Sequence, residues 1–73
     1  MKNYRGEMTA LRRAIFDARL TQTKLAEDAD VPQGALSLAA TGRLPLGRTT
    51  ASRIRTALAA HGVRVSLEDA RGL

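Results

Sequence analysis

The chain reads as an all-α domain, a compact bundle of four to five short helices, and three observations lead there. Apolar residues recur at helical spacing around residues 11–18, 25–29 and 51–58. Helix starters and stoppers such as Thr21, Pro32, Gly42 and Gly62 fall at the edges of these stretches. Between Thr21 and Gly42, TQTKLAEDADVPQGALSLAATG divides into two short helices around a tight turn. Helices this short are marginal alone in water, so they must pack on a scaffold.

Residues 1–7, MKNYRGE, have no periodic apolar face and form an arm carrying Lys2, Tyr4 and Arg5. Such an arm is either an ordinary loose terminus or an element that touches a polyanion. The domain proper then covers residues 8–73. From about Met8 to Arg19, Leu11, Ala14, Ile15 and Ala18 make one stripe, and Arg12, Arg13, Asp17 and Arg19 lie elsewhere, as expected of a scaffold helix. Phe16 lies off that stripe; it either packs against the C-terminal end of the chain or anchors a dimer contact.

In the central stretch Thr21 is a capping hydroxyl, and Leu25, Ala26 and Ala29 face inward while Gln22, Lys24, Glu27 and Asp28 face out. Asp30-Val31-Pro32 interrupts the pattern, because the residue before proline is pushed out of the helical region. A second helix starts at Pro32 or Gln33 and runs to about Ala40, where Thr41-Gly42 supplies a left-handed stop. GRLPLGR, residues 42–48, is a loop by its glycine and proline content. A further helix runs from Thr49 or Thr50, with threonine as N-cap, to His61. Its inward residues are Ala51, Ile54, Ala57 and Leu58, and Gly62 ends it. Val63-Arg64-Val65 alternates like a short strand, and Ser66-Leu67-Glu68-Asp69 resembles a capping box opening one last helical turn.

Composition narrows the function. Seventy-three residues allow one small domain with a modest core. There is no cysteine and His61 is the lone histidine, so neither a disulfide nor a zinc site is expected, nor any cofactor. No apolar run approaches the roughly 20 residues of a membrane span, and the N-terminus has no signal-peptide core, which makes a soluble cytoplasmic protein the default. The formal net charge of +5 and pI near 11.1 point to a polyanionic partner. Lys2 and Lys24 aside, the basic residues are arginines, which suit bidentate contacts to phosphate and guanine. Glu27, Asp28 and Asp30 cluster, whereas no acid occurs from Val31 to Leu67, so one side of the fold should be electropositive. Tyr4 and Phe16 are the only aromatic residues, too few for the stacking platforms of single-strand and RNA-binding sheets. Duplex DNA is the better match.

The order Gln22, Leu25-Ala26, Val31, Leu36-Ser37 and Gly42 resembles the lambda-repressor-like, or Cro/Xre-type, helix-turn-helix family over roughly residues 9–70. Four positions depart from it. The family usually has glycine where Asp30 stands and often Ser or Thr where Pro32 stands. An ion pair common in the family falls at Ala40 and Ile15, where apolar contact replaces it.

The resemblance implies that the second motif helix enters the major groove of DNA while the first lies across the backbone. Leu36 and Leu38 are about 200° apart on a helix, so they cannot share one core. Placing Leu36 inward with Val31 and Ala39 leaves Gln33, Gly34, Ser37 and Leu38 for the bases. Gln33 suits adenine, Ser37 offers one hydrogen bond, Leu38 packs on a thymine methyl, and Gly34 lets the backbone come close. Gln22 and Thr23 at the start of the first motif helix, with Arg43, Arg48 and Arg53, are the candidates for phosphates. The expected function is transcriptional regulation of the repressor or Cro kind, by a homodimer on an inverted repeat, as in bacteriophage and mobile-element control proteins. There is no room here for a sensing or protease domain, so occupancy alone would regulate, with no small-molecule ligand and no membrane partner. The competing expectation is an antitoxin-like or adaptor module whose basic face meets an acidic protein. An enzyme is disfavoured, because there is no nucleophile–base set, phosphate-binding glycine loop or metal cluster. The dimer surface falls by elimination on Val63–Val65 or the last helix.

Overall fold

Five helices occupy residues 9–73, the part of the chain described by the computed structural model: α1 (Ala10–Asp17), α2 (Gln22–Ala29), α3 (Gln33–Ala40), α4 (Arg48–Ala60) and α5 (Leu67–Arg71). Among these residues there is no strand. The arm expected at residues 1–7, with Met8, lies outside the described residues. The radius of gyration is 10.8 Å, close to the roughly 11 Å of a compact domain of this length.

Side chains cap three of the five helix starts. The hydroxyls of Thr9, Thr21 and Ser66 accept from the amides of Arg12, Lys24 and Asp69, each at 3.0 Å. The five helix ends share one solution. A residue with left-handed backbone follows each last turn: Arg19 (φ 60°), Asp30 (φ 59°), Gly42 (φ 78°), Gly62 (φ 83°) and Gly72 (φ 92°). The next amide then reaches back over the turn, Leu20 to Ile15, Val31 to Ala26, Arg43 to Leu38, Val63 to Leu58 and Leu73 to Glu68, at 2.9–3.2 Å. This is why three or four residues suffice to reverse the chain between α1, α2 and α3.

The core is built on the fully buried Leu11, Leu25, Leu36, Ile54 and Leu58, with Ile15, Val31 and Leu46 beside them. The remaining buried residues are alanines from all five helices, so backbones approach closely and each leucine carries a large share of the burial. Ile15 and Ala40 are both buried.

Tertiary hydrogen bonds lock the ends of this bundle together. Thr9 Oγ1, besides capping α1, donates to the Ala40 carbonyl at the end of α3 (2.7 Å). The Leu46 amide donates to the Arg71 carbonyl and Arg71 Nε donates to the Leu46 carbonyl, both at 2.8 Å, which clasps the 41–47 loop to α5. Gly72 follows immediately and packs on α3 so closely that a Cβ there would stand 2.4 Å from the Ala39 carbonyl oxygen.

Four expectations need correction. α1 ends at Asp17 rather than Arg19, because Arg19 takes the left-handed stop. Phe16 does not pack on the C-terminal end; it points away from the buried stripe of α1 and is 75% exposed. α4 starts at Arg48 with Gly47 as N-cap, not at a threonine, because the buried and clasped Leu46 brings the chain into the helix earlier. Val63–Val65 is not a strand: it has no partner strand among the described residues, Arg55 Nε donates to the Val65 carbonyl (3.1 Å), and both valines pack half-buried on the core. None of the described helices is long and apolar enough to cross a membrane.

Gly72→Ala tests the close approach. The left-handed conformation costs about 1–2 kcal/mol and the backbone clash about 1–3 kcal/mol more, so the thermal midpoint should fall by roughly 8 °C or more. Calorimetry showing an unchanged midpoint would mean that the tail is not docked on α3.

Candidate functional site

The turn between α2 and α3 is three residues long. Asp30 adopts φ 59°, ψ 51° at the end of α2, and Pro32, at φ −65° and ψ 132°, precedes the first residue of α3. Aspartate tolerates the left-handed region better than most residues, though it still costs about 1 kcal/mol against glycine. Arg53 Nη1 on α4 donates to the Asp30 carbonyl (3.3 Å), fixing the turn to the body of the domain.

α3 buries Leu36, Ala39 and Ala40, which leaves the opposite side to solvent. Gln33, Gly34 and Leu38 are exposed and Ser37 is half-buried, so these four occupy one face, a sector of about 140° at 100° per residue. That face carries no charge. Its carbonyl end is closed by Thr41, whose hydroxyl donates to the Ser37 and Leu38 carbonyls (both 3.1 Å). The Arg43 amide also donates to the Leu38 carbonyl (2.9 Å), which brings this arginine back beside the end of the face.

The other candidate residues are placed individually. Gln22 and Thr23 are the first two residues of α2, half-buried and exposed respectively. Arg48 is exposed and is the first residue of α4. Arg53 is exposed but spends one of its donors on the Asp30 carbonyl, at the turn rather than beside Ser37 and Leu38. No acid lies on α3, in the 41–47 loop or on α4. One acid of α2 is used locally: Lys24 Nζ and His61 Nε2 each stand 3.5 Å from a carboxylate oxygen of Asp28, linking α2 to the residue that follows α4. Below them an open groove of about 600 Å³ runs between α2 and α4, with Asp30, Ser52, Arg53 and Thr56 in its walls. Among the described residues no three His, Cys, Asp or Glu side chains gather to hold a metal.

One feature escapes sequence reasoning. α3 and α4 are the helices without a side-chain cap, their N-cap residues being Pro32 and Gly47. Their first-turn amides therefore remain open to an external acceptor such as a phosphate oxygen, with Arg48 alongside the second. The signal was present in part, since neither proline nor glycine has a side-chain oxygen to offer. The start of α3 was legible at Pro32-Gln33, whereas that of α4 was not. No family model, curated protein or solved structure matches the chain.

Gly34 faces open space, with nothing within 4 Å of an added Cβ. Gly34→Ala should therefore stabilise the free domain by about 0.5–1 kcal/mol through helix propensity. A fall in stability by chemical denaturation would contradict the placement of Gly34 on the exposed face.

Proposed function

We propose that this chain binds duplex DNA sequence-specifically as a transcriptional regulator of the repressor or Cro kind, with α3 in the major groove. The observation that supports it most is the outward face of α3. It is a short, uncharged helix, fixed by its buried side and by the turn at Asp30, that presents Gln33, Gly34, Ser37 and Leu38 from an acid-free part of the fold. A duplex needs this combination of a rigid projecting helix with small and amide side chains, flanked by arginines for the phosphates.

In this reading Gln33 makes paired hydrogen bonds to adenine N6 and N7, Ser37 adds one hydrogen bond, and Leu38 covers a thymine methyl. Gly34 leaves room for the backbone to approach the groove. Arg43, Arg48, the open start of α4 and the residues Gln22 and Thr23 position the domain on phosphates. Arg53 keeps donors for a phosphate beyond the one given to Asp30. With no arginine on α3, discrimination favours A·T pairs and groove shape. A single helix reads few base pairs, so two copies on half-sites about 34 Å apart form the working unit.

Selection of bound duplexes from a random-sequence pool at near-physiological salt tests this directly. An enriched inverted repeat is the expected result. Binding without an enriched motif, or no binding, overturns sequence-specific regulation. On the enriched site Gln33→Ala should lose about 1–3 kcal/mol of discrimination at one base pair. Arg48→Ala should weaken all sequences alike and flatten the dependence of affinity on salt. Gly34→Ala should lower affinity for the site while the free protein gains stability, and affinity that follows stability upward would remove Gly34 from the interface.

A further inference from the structure

We infer that the outer face of α1 is a second docking surface, for an acidic protein segment that brings an apolar anchor to Phe16. Phe16 is the aromatic residue of the described chain, and its 75% exposure is the highest among the exposed large hydrophobic side chains. An isolated ring of this size in water loses burial that the small core could have used. Around it, Arg12 and Arg13 lie on the same outward side of α1 and Arg19 follows at its end. The arginines that donate side-chain hydrogen bonds among the described residues are Arg53, Arg55 and Arg71, and the ion pairs there involve Lys24 and His61. Among the described residues Arg12, Arg13 and Arg19 thus have no side-chain hydrogen-bond or ion-pair partner, with Asp17 the one acid of α1.

Two further observations concern the same spot. Phe16, Asp17, Arg19 and Leu20 line a depression of about 530 Å³, and Leu20, half-buried, joins its apolar wall to the core. Arg19 itself sits at φ 60°, where glycine is the cheaper residue, so the side chain is retained against its backbone preference. An exposed aromatic at the edge of a depression that Arg19 also lines, with Arg12 and Arg13 exposed on the same side of the helix, has the composition of a protein–protein hot spot. Duplex DNA has no use for the exposed ring, and a second copy would bring three arginines against three, so the complementary occupant is acidic with an apolar residue among its acids. The surface lies apart from the α3 face: Thr9, whose hydroxyl donates to Ala40 at the end of α3, stands about 10 Å from Phe16 along the helix.

The test uses the full chain without DNA, at near-physiological salt, alongside Phe16→Ala and Arg13→Glu. Both replaced side chains are exposed, and matching thermal midpoints verify that the variants fold. Peptides are selected from a random dodecapeptide library, synthesised, and titrated into isotope-labelled protein. The expected peptides combine Asp or Glu with a leucine, isoleucine or aromatic residue, shift amide resonances within residues 12–20, and bind both variants about tenfold or more weakly. The inference is overturned by no enrichment, by peptides without acidic bias, by shifts elsewhere, or by equal binding to the variants. It is equally overturned if a random duplex produces the Phe16-dependent shifts, or if the chain is a dimer that Phe16→Ala converts to a monomer. These outcomes are read apart from DNA selection, so either reading can fail alone.

Discussion

The carbonyl end of α3 is the point on which the rest of the domain depends. Thr9 donates to Ala40 from one side, Thr41 closes the Ser37 and Leu38 carbonyls from within, and Gly72 presses against Ala39 from another. A helix of eight residues has too little internal hydrogen bonding to hold its own position. Gripping its last turn from α1 and from the C-terminal tail fixes its axis, and with it the direction in which Gln33, Gly34, Ser37 and Leu38 project. The open first turn can then present its amides outward, because the helix is anchored at the other end.

The arginines divide according to the same logic. Arg53, Arg55 and Arg71 each donate to a backbone carbonyl in a turn or loop, at Asp30, Val65 and Leu46. These segments have few regular backbone partners, and a guanidinium satisfies an exposed carbonyl while its aliphatic stem lies on the surface. The positive charge read from the sequence is therefore partly structural. Among the described residues, Arg43 and Arg48 near α3 and the start of α4, Arg12 and Arg13 on α1 with Arg19 just beyond it, and Arg64 after α4 are left with their donors available.

The core explains why such local devices matter. Alanine makes up much of the buried set, so burial per residue is small and a domain of this size has only a few kcal/mol in hand. Three side-chain caps and the hydrogen bonds of the Leu46–Arg71 clasp each contribute on the order of 1 kcal/mol. Against that background the left-handed Asp30 and Arg19 are appreciable costs, and each stands where the chain must reverse direction.

The five helices, the caps at Thr21 and Ser66, the stops at Gly42 and Gly62, and the inward residues of α1, α2 and α4 were all legible in the amino-acid sequence. Each follows from interactions within a turn or two of the chain, so a local pattern suffices to read it. Phe16, the start of α4 and the Val63–Val65 segment depended instead on distant parts of the fold. An off-stripe ring packs only if another element reaches it, and none of the described elements does. α4 begins where Arg71 clasps Leu46, twenty-five residues away. An alternating triplet becomes a strand only beside a partner strand, and here the valines find the core while Arg55 takes the carbonyl. The same limit holds for the arginines, because whether a guanidinium is spent on a distant carbonyl or left for a ligand depends on contacts that no local pattern records.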